Sequence, residues 1–170
     1  MCTNLTLAGV SSWAEKREAD PNFQITAARR ARRVAEIAEE IGCERSYIEN
    51  PRGMLGKLWR PCNFEFTPCE YGGYLPEGDT HPLYPEFIPS QDRYTKRTAI
   101  WHSDKFSVPD KRRVDPVRVR VFSSKRGHKL VSPACARLGG SAKQRGADIK
   151  SCTPRGWAEG VWMANIRDSD

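Results

Sequence analysis

Long apolar runs are missing from this chain, and so is the charged-then-apolar layout of a secretory leader, so neither a membrane span nor export is expected. No pair of cysteines has CxxC spacing. The six cysteines (Cys2, Cys43, Cys62, Cys69, Cys135 and Cys152) are scattered, and 170 residues are enough to bury a core without disulfide staples, so free thiols in a reducing cytoplasm are expected. Histidine is scarce, with only His81, His102 and His128. Cys62, Cys69 and His81 are unevenly spaced and lack a fourth ligand, so no metal site is expected. Acidic residues are outnumbered, 21 against 28 basic, which leaves a net charge of +7 and a pI near 9.3. That balance favours an acidic partner, nucleic acid first, but it carries no information about fold. There is no internal repeat.

At 38% hydrophobic residues the chain reads as about one globular domain. From Gln24 to Ile41, Ala27, Ala31, Val34, Ala38 and Ile41 recur on one helical face, and Gly42 stands in position to end the helix. The helix carries Arg29, Arg30, Arg32 and Arg33 first and Glu36, Glu39 and Glu40 last, the unfavourable order for the helix dipole and for i,i+4 pairing. Those arginines read as a solvated face, with phosphate contact as the alternative. Tyr47-Ile48-Glu49-Asn50-Pro51 reads as a short strand that delivers a carboxylate, an amide and a rigid turn to its C-terminal end. Glu49 is the best single candidate for chemistry.

Residues 52–95 turn irregular, dense in proline and glycine between Gly72 and Pro89 and rich in aromatics, which predicts an ordered functional loop whose Tyr71, Tyr74 and Tyr84 serve packing. Lys96-Arg97-Thr98-Ala99-Ile100-Trp101 reads as a strand. A basic stretch follows, in which Val117-Arg118-Val119-Arg120-Val121 alternates as a half-exposed strand with arginines on one face. Thr153 as N-cap and Pro154 at N1 predict a final helix burying Trp157, Ala158, Val161 and Trp162.

Six segments, in order, resemble the DNA cytosine-5 methyltransferase family and, within it, the compact bacteriophage-encoded branch. Cys2-Thr3-Asn4-Leu5 through Ala8-Gly9 is similar to the family's segment from the nucleophile onward, and Tyr47 to Pro51 to its Glu-Asn strand. The phage branch is also resembled at Glu70-Tyr71-Gly72-Gly73-Tyr74-Leu75-Pro76, at Lys96 to Trp101, at Arg137-Leu138-Gly139-Gly140 and at Thr153-Pro154-Arg155-Gly156-Trp157-Ala158.

The resemblance implies an α/β fold, the C-terminal part of a Rossmann-like methyltransferase domain with a long irregular loop. It is expected as one domain: 1–51 with the cysteine turn, helix and Glu-Asn-Pro strand, 52–101 with the long loop and strand, 102–131 as a short basic DNA-contacting region, and 132–170 with the last helix. It implies Cys2 as the thiolate that adds to cytosine C6 and Glu49 as the group that holds N3 and the exocyclic amine. Asn50, Pro51, Lys96 and Arg97 would lie at the base, and Arg112, Arg113, Arg118 and Arg120 on the DNA backbone. Double-stranded DNA is the implied partner and S-adenosylmethionine the implied cofactor, with the host cytoplasm as the compartment. Lys96 and Arg97 stand where the family usually has Gln-x-Arg-x-Arg. No Phe-x-Gly-x-Gly turn precedes Cys2, and Gly72-Gly73 and Gly139-Gly140 lack the strand-and-helix context of a cofactor loop. A fragment or split subunit served by a companion polypeptide is therefore expected. The alternative is a non-catalytic relative that binds DNA or a protein.

Overall fold

The computed structural model describes residues 2–123, 127–133, 149 and 151–166, which form a mixed α/β structure with two small antiparallel sheets. They cluster into two compact units, Met1–Phe66 with Arg97–Ser107, and Thr67–Lys96 with Val108–Asp170. No helix among the described residues is long and apolar enough to cross a membrane.

The first unit runs α1 (Cys2–Leu5), a 3-10 turn (Leu7–Ser12), α2 (Trp13–Ala19), α3 (Phe23–Glu40), β1 (Tyr47–Pro51), α4 (Leu55–Leu58), β2 (Phe64–Phe66) and β3 (Thr98–His102). Alanines and straight-chain residues make α3 a strong helix former. Gly42 ends it at φ +71°, where its N–H donates to the Glu39 carbonyl at 3.0 Å and that of Cys43 to Ala38 at 2.8 Å, the paired bonds that glycine's left-handed conformation permits. The small side chains of Ala27, Ala28 and Ala31 let α3 lie close to Leu5, Leu55, Ala99 and Trp101, with which they form the core of this unit.

One expectation about α3 needs correction. Val34 and Ile41, placed on the buried face by their spacing, are 53% and 75% exposed, and Ile37 beside them is 42% exposed. The arginines also find partners despite their order: Arg32 pairs with Glu36 at 2.7 Å and Arg33 with Glu40 at 2.6 Å, because long side chains reach one or two turns along the exposed surface.

The sheet order is β1-β3-β2, with β3 antiparallel to both neighbours. β1 and β2 are therefore parallel to each other and are joined through α4, but no two neighbouring strands run parallel as they would in the core of a doubly wound sheet. Alternation sends Ile48, Ala99 and Trp101 to the α3 side, with Trp101 Nε1 donating to the Arg60 carbonyl at 2.7 Å. The opposite face gathers Tyr47, His102 and Phe106, with ring centroids 5.3 Å apart in both Tyr47–Phe106 and His102–Phe106.

In the second unit the irregular segment is ordered around 3-10 turns at Pro68–Glu70, Gly72–Tyr74 and Ser90–Asp92. Tyr71 is fully buried, edge-on to Trp157 at 5.0 Å, which makes it a packing residue. A two-stranded ribbon follows, β4 (Val119–Ser123) and β5 (Gly127–Val131), then α5 (Arg155–Asn165). α5 makes its main contacts with neither sheet. It packs instead against the three 3-10 turns, where Gly156 lies so close to the Tyr71 carbonyl that no Cβ fits. It also begins one residue later than Thr153 and Pro154 suggest: Pro154 holds the cap position, and the carboxylate of Asp92 accepts the Gly156 N–H at 2.8 Å. Trp157 is fully buried as expected, but Ala158 is exposed and Trp162 is 52% exposed.

Candidate functional site

The two segments read as catalytic meet in the first unit. Thr6 forms an antiparallel bridge with Gly53, the Met54 N–H donates to the Leu5 carbonyl at 2.7 Å, and that of Leu7 to Arg52 at 3.5 Å. The backbone of Cys2, in α1, is thus four residues from a bridge whose other side is four residues beyond Glu49. Glycine is required at 53 because a Cβ there would run into the Leu5 carbonyl. Further anchors for α1 come from Lys16 Nζ, 2.7 Å from Asn4 Oδ1, and from Gln24 Nε2, 3.2 Å from the Asn4 carbonyl.

Glu49 is half-buried, registered opposite Ile100, on the sheet face away from α3. Asn50 points the other way, is 4% exposed, and donates from Nδ2 to the Pro51 carbonyl at 2.7 Å, so its amide shapes the strand's exit. Arg97 pairs with Glu65 at 2.8 Å and Arg52 with the same carboxylate at 3.6 Å, which places a basic pair beside the end of β1. Lys96 belongs to the second unit, where its ammonium donates to the Cys152 carbonyl at 3.3 Å.

The basic stretch divides by role. The Arg112 guanidinium lies 4.2 Å from the centroid of the Tyr74 ring, and its carbonyl accepts the Gly73 N–H at 2.9 Å. Arg113 and Lys111 converge on Glu70 at 3.1 and 2.8 Å. Burial alone would push the Glu70 carboxyl up; the bonds from Lys111 and from the Thr67 N–H, with the Arg113 charge, bring it below its usual value. Arg118 and Arg120 are exposed. Gly72 and Gly73 serve chain packing, since a Cβ on the first would meet the Gln91 carbonyl and Val114 and one on the second Arg112. They therefore form no cradle for S-adenosylmethionine. Gly139-Gly140 and Arg137 lie outside the described residues.

Sequence reasoning missed a buried polar clasp in the second unit. Asp79 pairs with Arg155 and accepts from the Gln91 N–H and, at 3.1 Å, from Ser90 Oγ. Gln91 and Asp92 take φ of 55° and 46°, unusual for side-chain-bearing residues. Burial pushes the Asp92 carboxyl up against the opposing pull of the Gly156 and Arg155 N–H groups. These partners are 64 residues apart, so no local pattern announces them.

His81 is nearly fully buried, and its Nδ1 accepts N–H bonds from Leu83 at 3.3 Å and Tyr84 at 3.0 Å. Burial lowers its pKa below 6.5. Above that value both folded and unfolded chains are neutral here and stability is complete. As pH falls from 6.5 towards the lower folded value, the unfolded chain takes up a proton that the folded chain resists, and stability is lost. His81→Asn keeps an acceptor for the turn, so denaturant midpoints at about pH 7.5 and about pH 5 should differ less for the variant than for the parent. An equal difference in both would remove His81 as the cause.

Among the described residues no three metal-ligating side chains cluster. Cys69 Sγ instead sits 3.3 Å from Thr67 Oγ1. In comparisons with known proteins the chain matches no family model, no curated protein and no solved structure.

Proposed function

We propose that this chain supplies the cytosine-activating and DNA-contacting part of a DNA cytosine-5 methyltransferase, and that it works with a companion part that holds S-adenosylmethionine. The observation that carries the reading is the Thr6–Gly53 bridge: it brings the backbone of the Cys2 segment alongside the exit of the Glu49-Asn50-Pro51 strand, two stretches far apart in sequence. Parallel β1 and β2 joined through a helix, with antiparallel β3 between them, fit the edge of a larger mixed sheet. Val34, Ile37 and Ile41, open on α3, are the kind of apolar stripe a companion would cover.

In this reading a cytosine leaves the stack and the Cys2 thiolate adds to C6, moving an electron pair to C5. Glu49 holds N3 and the exocyclic amine and stabilises the charge that develops there. Asn50 fixes the strand exit through the Pro51 carbonyl and acts as a positioning residue. Arg97 and Arg52 lie close enough to the end of β1 to hold the flanking backbone, whereas Arg112 and Arg113 chiefly order the segment that leads to the ribbon.

Arg118 and Arg120 are the phosphate contacts. The double variant Arg118→Ala/Arg120→Ala should weaken binding to every duplex alike and flatten the logarithmic salt dependence by about 0.9 for each phosphate released. Unchanged binding, or binding insensitive to salt, would return both arginines to the solvated surface. If no companion restores methyl transfer while DNA binding persists, the non-catalytic, DNA-binding alternative is the one to keep.

A further inference from the structure

At 3.6 residues per turn, Val34, Ile37 and Ile41 fall within about 60° of one another around α3, and all three are open to solvent. Large apolar side chains gathered on one exposed helix face are costly unless something covers them. Arg33 and Glu40 run along one flank of this stripe, two turns apart, with the guanidinium 2.6 Å from the carboxylate and both side chains more than half exposed.

The order of those charges identifies the cover. Arginines towards the start of a helix and glutamates towards its end oppose the macrodipole, so the stability of α3 alone gives no reason for the arrangement. An antiparallel second copy gives one. When two identical helices lie antiparallel about a two-fold axis beside Ile37, the same flank of each meets the other in reversed direction. In that register Val34 of one copy meets Ile41 of the other, and Ile37 meets its own counterpart. Arg33 then faces Glu40 of the second copy, and Glu40 faces its Arg33. Arg30 falls at the carbonyl end of the other helix, where a cation is favoured. A parallel copy would instead set Arg33 against Arg33. A companion part covers the stripe equally well but leaves the charge order without a cause.

We propose that α3 is a self-association surface, on which two copies of the chain pair antiparallel through Val34, Ile37 and Ile41 with Arg33 and Glu40 as reciprocal interchain ion pairs. The inference goes beyond the proposed function and requires neither DNA nor methyl transfer. One helix face buries less than the roughly 1,200 Å² of a standard interface, so the dimer is a weak one, with a dissociation constant in the micromolar range.

The test is sedimentation equilibrium of the full chain from about 1 to 500 μM at low salt. The parent should pass from monomer to dimer across the series. Ile37→Ser/Ile41→Ser removes apolar contact from both copies at once and should weaken the dimer about a hundredfold. Arg33→Glu and Glu40→Arg each turn two attractions into two repulsions and should each weaken it about tenfold. An equimolar mixture of these two single variants should associate as the parent does, because each flank then meets its opposite, and Arg33→Glu/Glu40→Arg should recover the parent's dimer. Recovery in the mixture also shows that both single variants are folded. A parent that stays monomeric throughout overturns the inference and leaves the stripe to a companion part, with the proposed function untouched. A dimer that survives Ile37→Ser/Ile41→Ser lies elsewhere on the chain and overturns it too. Single charge variants that dimerise like the parent, or a mixture that fails to, rule out the antiparallel pairing.

Discussion

Replacing Cys2 by Ser or Glu49 by Gln should each abolish nearly all methyl transfer by the companion-complemented protein, and replacing both should cost little more than replacing one. Sulfur addition at C6 and charge stabilisation at N3 belong to a single transition state, so the groups work as a unit and their losses do not add. Glu49→Gln keeps a carbonyl acceptor at the base edge but loses the carboxylate, which sets its loss at about 10²–10³-fold. Cys2→Ser removes the nucleophile and should cost several orders of magnitude. Additive losses would mean that the residues serve separate steps, and Glu49 would then be a binding group alone. DNA affinity should change little in either variant, since phosphate contacts dominate it.

The second large effect is expected at a residue that touches neither base nor phosphate. Gly53→Ala places a methyl group inside the Leu5 carbonyl, with backbone on both sides and no flexible side chain to give way. The strand exit and α1 must separate, losing the Thr6–Gly53 bridge and the 2.7 Å bond from Met54 to Leu5. Overpacking of this kind costs about 1–3 kcal/mol, and the lost backbone bonds add to it. Gly78→Ala, with nothing within 4 Å of the added carbon, is the control and should be close to neutral. Denaturant midpoints measure the stability difference. Methyl transfer by the fraction of Gly53→Ala that remains folded measures the function, and it should fall because the cysteine segment no longer lies beside the Glu49 strand. If that fraction retains full activity, the apposition is structural and not catalytic.

What the sequence disclosed and what it hid follow from range. α3 and its glycine stop were legible because helical spacing and a left-handed cap are local, and β1 emerged at Tyr47–Pro51 as read, since its turn residues lie within it. The strand read over 96–101 is shifted to Thr98–His102, and that read over 117–121 to Val119–Ser123, because alternation fixes faces better than ends. Buried against exposed was less legible. Val34, Ile41 and Trp162 share the apolar character of their neighbours, and only the packing partner of each turn decides which are covered.

The site divides the same way. Glu49 was recognisable from the strand that carries it, whereas the Thr6–Gly53 bridge joins residues with no pattern in common. The Asp92 cap on α5 and the Asp79–Arg155 pair are long-range devices for which Thr153 was an attractive local substitute. Arg112 and Arg113 looked like their neighbours Arg118 and Arg120 in composition. Tyr74 and Glu70, which engage them, lie some forty residues earlier in the chain.

The account rests on Cys2 as the nucleophile, and one measurement reaches it directly. Duplex DNA carrying 5-fluorocytosine is incubated with the companion-complemented protein and S-adenosylmethionine, and the product is mapped by peptide mass spectrometry. Fluorine at C5 cannot leave as a proton does, so the covalent adduct should persist, attached to Cys2, and should form far more slowly in Glu49→Gln. An adduct on any of the other cysteines, or methylation of ordinary duplex by Cys2→Ser at the parent's rate, would contradict the account.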